Sequence, residues 1–240
     1  MPTEHNTIAK ELFSGIAPGY DRWAEVFSIF QYRRWHRALL SALDPQPGEH
    51  ILDVSTGTGA VAFDLAKRGC VVIGLDLSPE MLREASGRAL RLKGAAAKGN
   101  SVRFVEGRSE DLPFPATSFD VVTFTFLLRY VADPRRSLQE ISRVLRTGGR
   151  VAMLEFAVPE FTVTRALWSL YVYALLPLLT RPVSPAWAAV GAFLGGSIGE
   201  FDERHPLPSL LADWHRAGFC NLRCRQMSVG GAIIVSGEKE

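Results

Sequence analysis

The sequence has little of what marks secreted, membrane-spanning or nucleic-acid-binding chains. Its 240 residues include three cysteines, Cys70, Cys220 and Cys224, an odd number that argues against a disulfide framework. Lys and Arg total 27 against 25 Asp and Glu, so no basic excess directs the chain toward nucleic acid. The first residues lack a basic segment followed by an apolar one, so we expect no signal peptide. These absences favour a reduced, cytoplasmic location.

Metal-binding motifs are missing too. Cys220 and Cys224 lie in an alternating pattern typical of a strand, and no second pair of Cys or His accompanies them. We therefore expect no metal.

The apolar runs in the sequence are shorter than a membrane-spanning helix. The longest, residues 166–180, is interrupted by Pro177, and a spanning helix needs about 20 residues. Three interpretations stay open for it: core packing, a helix at a membrane interface, or the wall of a tunnel for a lipid tail. The basic and aromatic segment QYRRWHR, residues 31–37, would suit an anionic surface, so peripheral membrane contact is among the expectations.

Hydrophobic periodicity predicts strands alternating with helices. The predicted strands are 50–55, 70–76, 102–107, 119–126 and 150–157, and the helices between them lie near 60–68, 79–93 and 135–146. An apolar helical region at 162–194 and a helix at 207–217 follow. Two last strands, near 220–228 and 231–237, join at Gly230-Gly231 as an antiparallel hairpin. This order indicates an α/β fold with a doubly wound, seven-stranded, mostly parallel sheet.

Helical additions flank this sheet within one domain, 1–240. Helical spacing over residues 6–43 predicts an N-terminal cap, 1–47, which the prolines at 45 and 47 close. The apolar region, taken as 160–200, is expected to be an insertion that covers the substrate site.

A glycine loop follows the first predicted strand in ILDVSTGTGAVA, residues 51–62. Gly57, Gly59 and Ala62 have the spacing of a dinucleotide-binding fingerprint. However, Asp53 ends the strand four positions before Gly57, where its carboxylate would repel a pyrophosphate and attract an ammonium or sulfonium group. S-adenosylmethionine carries both cations, and Asp76 at the end of the next strand can accept from ribose hydroxyls. The loop thus favours S-adenosylmethionine over NAD.

Several longer motifs resemble a known family. LDVSTGTG, VVIGLDLSPEML, LPFPATSFDVVTFTFLLRYVADP and RVLRTGGRVAMLEF occur in the order seen in class I S-adenosylmethionine-dependent methyltransferases, which have a Rossmann-like fold. FSGIAPGYDRW, FLLRYVADP, LEFAVP, FLGGSIGEF and GGAIIVSGEK make the chain similar to UbiE-type C-methyltransferases of ubiquinone and menaquinone biosynthesis. The resemblance runs from about residue 10 to the C-terminus.

The resemblance implies sites for the methyl donor. Thr58, Asp76 and Thr125 match positions that contact the donor in that family, and Ser109 matches part of its adenine-edge pair. The full set of expected donor-binding residues is Asp53, Gly57, Thr58, Gly59, Asp76, Leu77, Arg108, Ser109 and Thr125.

Three departures from the family pattern fall near these sites. Arg108 stands where the family has an aspartate at the adenine edge, and a guanidinium cannot accept from the adenine amino group. Glu110 or the backbone of Ser109 is expected to substitute. Tyr130 replaces an asparagine, and Ser55 replaces a small apolar residue or glycine. These changes put the identity of the acceptor in doubt.

Arg129, Tyr20 and His205 are the expected catalytic residues. Arg129 would stabilise the oxyanion of a hydroxylated ring, and its alternative role is a salt bridge with Asp133 or Glu155. Tyr20 and the neighbouring Asp21 would close over the donor, or Asp21 would simply cap a helix.

His36, His205 and His215 are candidate bases. The alternatives are a place on the polar face of a helix for His36 and on the surface for His215, whereas the role of His205, which precedes Pro206 in a loop, stays open.

The most concrete hypothesis is an enzyme that uses S-adenosylmethionine to methylate a carbon of a prenylated hydroquinone. The alternatives are a methyltransferase for a soluble phenolic acceptor and a non-catalytic S-adenosylmethionine-binding protein. The expected partner is therefore a small-molecule or lipid acceptor, and the oligomeric state stays open.

Overall fold

The fold is built on one seven-stranded sheet. The computed structural model describes residues 10–93 and 102–240, so residues 1–9 of the predicted cap lie outside the described part. The strands are β1 His50–Val54, β2 Val71–Asp76, β3 Val102–Glu106, β4 Phe119–Thr125, β5 Leu145–Phe156, β6 Phe219–Met227 and β7 Ala232–Lys239. Their order is β3-β2-β1-β4-β5-β7-β6, in which β7 runs antiparallel to both of its neighbours. The predicted mostly parallel sheet with an antiparallel C-terminal hairpin is confirmed.

Helices cover both faces of the sheet. They are α1 Tyr20–Phe27, α2 Tyr32–Leu43, α3 Ala60–Lys67, α4 Pro79–Lys93, α5 Pro134–Val144, α6 Thr162–Leu170, α7 Leu176–Thr180, α8 Pro185–Arg204 and α9 Leu207–Arg216. A π-helical segment, Tyr171–Leu175, joins α6 to α7.

Successive residues of β1 belong to different hydrophobic clusters. Leu52 and Val54 pack with α5 and α9, whereas Ile51 packs with α2 and α3. A strand buried on both faces is what a doubly wound parallel sheet requires, which is why these strands read as continuous apolar runs.

The apolar region differs from the single helical stretch expected over 162–194. The first helical run ends at Thr180, and α8 begins at Pro185. Pro182 and Pro185 have no backbone N–H to continue a helix, and the Ser184 hydroxyl accepts from the Trp187 N–H as an N-cap.

The helical run over Thr162–Thr180 has the length and composition of a membrane-crossing helix. It spans 19 residues with a mean hydropathy of 1.3, and 11% of its most apolar window is buried. It is longer than the run of apolar letters suggested, because Thr162–Arg165 belong to the same helix. Taken alone, such a helix is weak evidence for a membrane span.

Two glycines of α8 test how tightly this helical region packs. A Cβ at Gly191 would collide with the buried side chain of Thr180 on α7, whereas a Cβ at Gly196 would meet no atom within 4 Å. We expect Gly191→Ala to destabilise the protein by about 1–3 kcal/mol through overpacking. Gly196→Ala should stabilise it by about 0.5–1 kcal/mol through helix propensity. Urea unfolding of both variants measures the difference, and equal effects would contradict the packing.

Candidate active site

Two cavities meet at the carboxyl edge of the sheet. The first, which we call the loop cleft, is lined by the glycine loop, the end of β2, residues 107–110 and Thr125. The second, which we call the chamber, lies between the N-terminal helices and the apolar helices α6–α8. Measured with their open mouths, they enclose about 860 and 1770 Å³ respectively. Five aromatic side chains line both cavities: Phe13, Tyr20, Tyr32, Phe126 and Tyr130.

The glycine loop needs backbone that larger residues rarely adopt. Gly57 and Gly59 have φ of 54° and 80°. A Cβ at Gly57 would meet no protein atom within 4 Å, so this glycine faces the open cleft. A Cβ at Gly59 would instead press against the rings of Phe63 and Phe104. Gly59 therefore supports the loop from behind and does not line the cleft, and its expected role in donor binding stays a prediction.

Asp76 is held at the end of β2 by backbone donors. Its Oδ2 accepts from the Gly57 N–H at 2.7 Å and its Oδ1 from the Ser78 N–H at 2.9 Å. Each carboxylate oxygen has two lone pairs, so both can accept a further hydrogen bond from a hydroxyl in the cleft. Leu77, next in the chain, lines the cleft as expected.

Asp53 lies behind the loop. Its Oδ2 accepts from the Thr56 hydroxyl at 2.6 Å, its Oδ1 has no hydrogen-bond partner among the described residues, and 1% of the residue is exposed. It does not line the cleft, whereas the sequence predicted that its carboxylate faces the loop's contents, and its part in donor binding stays a prediction. The short link to Thr56 turns the carboxylate under the loop, at the N-terminus of α3.

The two carboxylates still give this region negative character. Burial, and secondarily the nearby Asp76, raises the pKa of Asp53 to about 7, although the Thr56 hydrogen bond opposes this. Burial also raises the pKa of Asp76. Among the described residues neither carboxylate forms an ion pair. A cation in the loop cleft would compensate both.

The N-terminal cap is fastened over the loop cleft. Asp21 accepts from the Thr58 hydroxyl at 2.6 Å and from Arg88 on α4 at 2.8 Å. Ser14 also donates to Glu80 at 2.9 Å. Asp21 belongs to the first turn of α1, but α1 has no side-chain cap, so its bond to Thr58 replaces the capping role.

Arg108, Ser109 and Glu110 all line the loop cleft. The Ser109 hydroxyl lies 2.9 Å from that of Ser137 and donates to Glu110 at 3.3 Å. Ser109 and Glu110 are buried, so a carboxylate is present on this wall beside the arginine. Both residues expected to substitute for the missing aspartate thus line the cleft, and their contact with an adenine edge stays a prediction.

Ser55 has a φ of 58° and also lines the cleft. This left-handed backbone is the physical reason that a glycine suits the position.

The chamber is apolar apart from a few groups. Its walls include Trp35, Phe156, Trp168, Leu176 and Trp187. Tyr20 stacks on Trp187 with 6.1 Å between ring centroids, which places the tyrosine where the chamber meets the loop cleft. Tyr130, the departure from the family's asparagine, packs edge-on against Phe13 at 5.1 Å and narrows the same junction.

Arg129 brings a buried cation to the chamber wall. Its Nε donates to Glu155 Oε1 at 2.8 Å, and its Nη1 donates to the Ser197 hydroxyl at 3.0 Å. The guanidinium also lies 4.7 Å from the ring of Tyr130. Its Nη2 has no hydrogen-bond partner in the described part of the chain. The side chains of Arg129 and Glu155 are 1% and 3% exposed, so the alternative salt bridge to Glu155 exists as well.

Asp133, the other predicted partner of Arg129, instead caps a helix. Its carboxylate accepts from the Arg135 and Arg136 N–H groups as the N-cap of α5.

The candidate bases do not reach the chamber. His205 follows the last turn of α8, packs against Phe201 at 5.0 Å between ring centroids, and lines neither cavity. Its expected catalytic role therefore stays a prediction that this position does not support. His36 is buried against Tyr32, and burial lowers its pKa to about 4. His215 is exposed, and its Nδ1 lies 3.0 Å from the Phe219 carbonyl oxygen.

Among the described residues that line the chamber there is no carboxylate and no imidazole. The four tyrosines in its described lining, at positions 20, 32, 130 and 171, have raised pKa values, chiefly because of burial. They therefore stay protonated at neutral pH and can donate hydrogen bonds without acting as bases.

Sequence reasoning missed Tyr32, Trp187 and Ser197. Tyr32 lines both cavities, Trp187 supports Tyr20, and Ser197 orients Arg129. FLGGSIGEF contains Ser197 and marked a family resemblance, but no spacing rule connects a serine there with an arginine 68 residues earlier.

The fold is that of the class I methyltransferases. A methyltransferase of Haloferax volcanii, solved with its activator protein, matches with a TM-score of 0.62, covering 95% of this chain and 97% of the other at 20% identity, which shows the fold.

The family follows from the sequence comparisons. The model of the ubiE/COQ5 methyltransferase family matches residues 1–239, and the chain belongs to this family. A demethylmenaquinone methyltransferase of Clavibacter sepedonicus is 35% identical over 95% of this chain and 89% of that protein. A ubiquinone/menaquinone biosynthesis C-methyltransferase UbiE of Geotalea daltonii is 32% identical over 99% and 98%.

The chain is therefore an S-adenosylmethionine-dependent methyltransferase, as its resemblance implied. The loop cleft fits this donor. Gly57 leaves room where a Cβ would project, Asp76 offers acceptors to hydroxyls, and the buried carboxylates favour a cation.

The raised pKa of Asp53 predicts a pH-dependent contribution to stability. The folded state keeps a proton that the unfolded state loses above a pKa of 3.8. Asp53 therefore stabilises the fold fully below that pKa, and this contribution is lost as pH rises to about 7. Relative to the wild type, Asp53→Asn should gain up to about 4 kcal/mol in free energy of unfolding across this range.

Urea unfolding at several pH values measures this gain. Asp120→Asn is the control of opposite sign, because the pKa of Asp120 is lowered: its burial is outweighed by donors from His50 and Arg146. The stabilising contribution of Asp120 is therefore lost as pH falls. A flat difference for Asp53→Asn would show that Asp53 is ionised throughout.

Asp76 is expected to bind the donor. Asp76→Ala should weaken S-adenosylmethionine binding by about 1.5–3 kcal/mol, because hydrogen bonds to a charged acceptor are lost. Glu106→Ala is the matched control, since Glu106 pairs with Asp76 in register on β3 but is exposed and lines neither cavity. Titration calorimetry measures both. Equal affinities in the two variants would remove Asp76 from the donor site.

Proposed function

We propose that this enzyme transfers the methyl group to a ring carbon of a prenylated hydroquinone, a precursor of menaquinone or ubiquinone. The observation that carries the proposal is Arg129, buried on the wall of a large apolar chamber beside the donor cleft, with its Nη2 unpartnered among the described residues. The named functions of the relatives from Clavibacter sepedonicus and Geotalea daltonii support it.

The chamber suits an aromatic ring with an apolar tail. Aromatic side chains surround its junction with the loop cleft, and aliphatic and aromatic residues of α6–α8 extend its wall. A pocket of this kind gains affinity by burying apolar surface, while a few placed polar groups orient the ligand. The ring would lie near Arg129 and Tyr20, and the tail along the apolar helices.

Residues of the loop cleft would hold the donor. Asp76 would accept from the ribose hydroxyls, Gly57 and Thr58 would approach the methionine part, and Leu77 and Thr125 would complete the walls. Ser109 and Glu110 would meet the adenine edge, with Arg108 beside it. When bound, S-adenosylmethionine supplies an electrophilic methyl group on a sulfonium.

Arg129 would make the acceptor reactive. An aromatic carbon becomes a good nucleophile when an adjacent hydroxyl loses its proton, and a phenolic hydroxyl has a pKa of about 10. Burial lowers the pKa of Arg129, whereas the neighbouring Tyr130 and Glu155 raise it, and the net effect is a raised pKa. Arg129 therefore stays a cation and cannot act as a base. It would therefore stabilise the oxyanion.

The proton has no side-chain acceptor in the described chamber lining, since that lining holds neither carboxylate nor imidazole. We infer that it leaves to water. The C–CH3 bond would form as the methyl–sulfur bond breaks, and the methylated ring carbon would then lose its own hydrogen as a proton, also to water, so that the ring becomes aromatic again. The rate of methyl transfer should then rise with pH until the hydroxyl, with its pKa lowered by Arg129, is fully ionised. Tyr20, whose pKa is raised chiefly by burial, would remain a hydrogen-bond donor at the junction.

Labelled S-adenosylmethionine, incubated with the enzyme and a demethylated prenyl hydroquinone, tests the proposal. Product analysis should place the label on a ring carbon. A label on oxygen, or methylation confined to soluble phenols, would redirect the assignment to the second kind of acceptor. Donor binding without transfer to any of them would favour a binding protein.

Arg129 variants test the chemistry. Arg129→Met should lose about 10²–10³ in turnover, as when one oxyanion donor is removed. Arg129→Lys, which keeps the charge without the planar fork, should fall between this variant and the wild type. The rise of rate with pH should shift to higher pH in Arg129→Met, and affinity for the donor should stay within a few-fold.

Melting temperature separates this role from a structural one. Arg129→Met leaves Glu155 buried and unpaired, so some loss of stability is expected. The double variant Arg129→Met with Glu155→Gln removes that charge. If its turnover per folded molecule is normal, Arg129 has no part in the reaction.

A further inference from the structure

The mouth of the chamber carries apolar residues in an unfavourable backbone conformation. Ile29 and Phe30, between α1 and α2, have φ of 54° and 59°, and Val229, between β6 and β7, has φ of 57°. Left-handed backbone is uncommon for bulky side chains and rarest for β-branched ones. Nevertheless these side chains are 59%, 68% and 72% exposed. The fold therefore holds large apolar groups outward at a cost in backbone energy.

These turns lie beside the helix α6. Ile29, Val229 and Leu167 of α6 all line the chamber although they are exposed, so they stand at its opening. Hydrogen bonds join the segments: the Tyr171 hydroxyl donates to the Phe27 carbonyl at 2.6 Å. The Ser228 hydroxyl likewise donates to the Gln31 side chain at 3.3 Å.

The helical run over Thr162–Thr180 is apolar on its outer side as well. Val163, Leu167 and Leu170, spaced by four and three residues, form a stripe that is 73%, 63% and 55% exposed, and Leu167 lies where this stripe meets the chamber opening. Its other side lines the chamber through Thr164, Trp168, Tyr171, Val172 and Leu176. A helix that is apolar all round needs an apolar environment on both sides.

Cations border this opening. Arg33, Arg34 and Arg37 are exposed on α2, immediately after the Ile29–Phe30 turn, and Arg34 lines the chamber. Two acidic side chains lie near these turns: Glu25 of α1 accepts from the Arg33 N–H at 3.0 Å, and Glu160, beside Gly230, accepts from the Gln226 side chain at 3.2 Å. The border therefore carries more positive than negative charge and is complementary to an anionic surface.

We propose that Ile29, Phe30, Leu167, Leu170 and Val229, which we call the mouth patch, insert into the interface of an anionic lipid bilayer. The arginines of α2 would contact the headgroups, and the chamber would open directly to the acyl region. An acceptor with a prenyl tail would then enter without crossing water. The choice of a lipid bilayer as the partner of the mouth patch rests on the proposed function, because the substrate of that function is dissolved in the membrane.

Vesicle binding tests the mouth patch without any methylation. The wild type should co-sediment with vesicles of phosphatidylglycerol and phosphatidylcholine, and less with phosphatidylcholine alone. The double variant Phe30→Asn with Leu170→Gln should reduce the partition coefficient by about tenfold or more, because two exposed apolar groups no longer insert. Neither residue lines the chamber or the loop cleft.

Folding does not confound this variant. Asparagine tolerates positive φ better than phenylalanine, and Leu170 is exposed, so the melting temperature should not fall. Leu90→Gln is the matched control: Leu90 is 72% exposed on α4, away from the mouth patch. Its vesicle binding should equal that of the wild type. A double variant that binds vesicles as well as Leu90→Gln does would overturn the proposal.

A second copy of the chain is the competing occupant. Analytical ultracentrifugation without lipid compares the wild type with the double variant. We expect that the wild type does not show a self-association that is lost in the double variant. If it does, and vesicle binding is unaffected, the patch is a protein interface and the proposal is wrong.

Methylation of a short-tailed, water-soluble hydroquinone separates this inference from the proposed function. The double variant should methylate it at the wild-type rate, yet lose rate on a long-tailed hydroquinone embedded in vesicles. Wild type that binds vesicles through the patch but methylates neither acceptor would contradict the proposed function alone. Equal rates for wild type and double variant on the embedded acceptor would contradict the docking inference alone.

Discussion

Charge buried at the carboxyl edge of the sheet has to be compensated, and the site depends on how this happens. Asp53 and Asp76 lie under and beside the loop cleft without a cationic partner in the described chain, and burial raises their pKa values. A bound cation would compensate their charge and lower these pKa values again. In the chamber the sign is reversed. Arg129 is paired with Glu155 but keeps one nitrogen unpartnered, so an anion on the acceptor would complete it. One cavity thus favours a positive ligand and the other a ligand that becomes negative, which is the charge pattern of methyl transfer to an ionised ring.

The same edge also explains why the two ligands would meet. Parallel strands bring their carboxyl ends together, so the loop after β1, the end of β2 and the segment after β4 share one rim. The cap closes this rim through Asp21, which bonds both Thr58 and Arg88. Aromatic rings at the junction, Tyr20 and Tyr130 among them, exclude water and strengthen the interactions of nearby charges.

The helical additions convert a common fold into a site for one class of acceptor. The helices α6–α8 form a chamber wall that is apolar inside and largely exposed outside. Proline residues and a serine cap split the apolar stretch into two helical runs, which lets the second return over the first through the contact of Gly191 with Thr180. Such a wall would leave its outer face exposed in water but buried at a bilayer.

The sequence by itself determined the sheet, its antiparallel hairpin, the glycine loop and the family, because strand periodicity and local motifs depend on neighbouring residues. It also brought Arg129 and Glu155 forward as partners. Only the tertiary structure decided which side chains enter a cavity: Asp53 and Gly59 turned out to lie behind the loop, and His205 outside both cavities. Tyr32 and Ser197 came into the site from distant segments. The physical reason is that the direction of a side chain at the end of a strand or helix depends on contacts between segments far apart in the chain, and these leave no periodic signal.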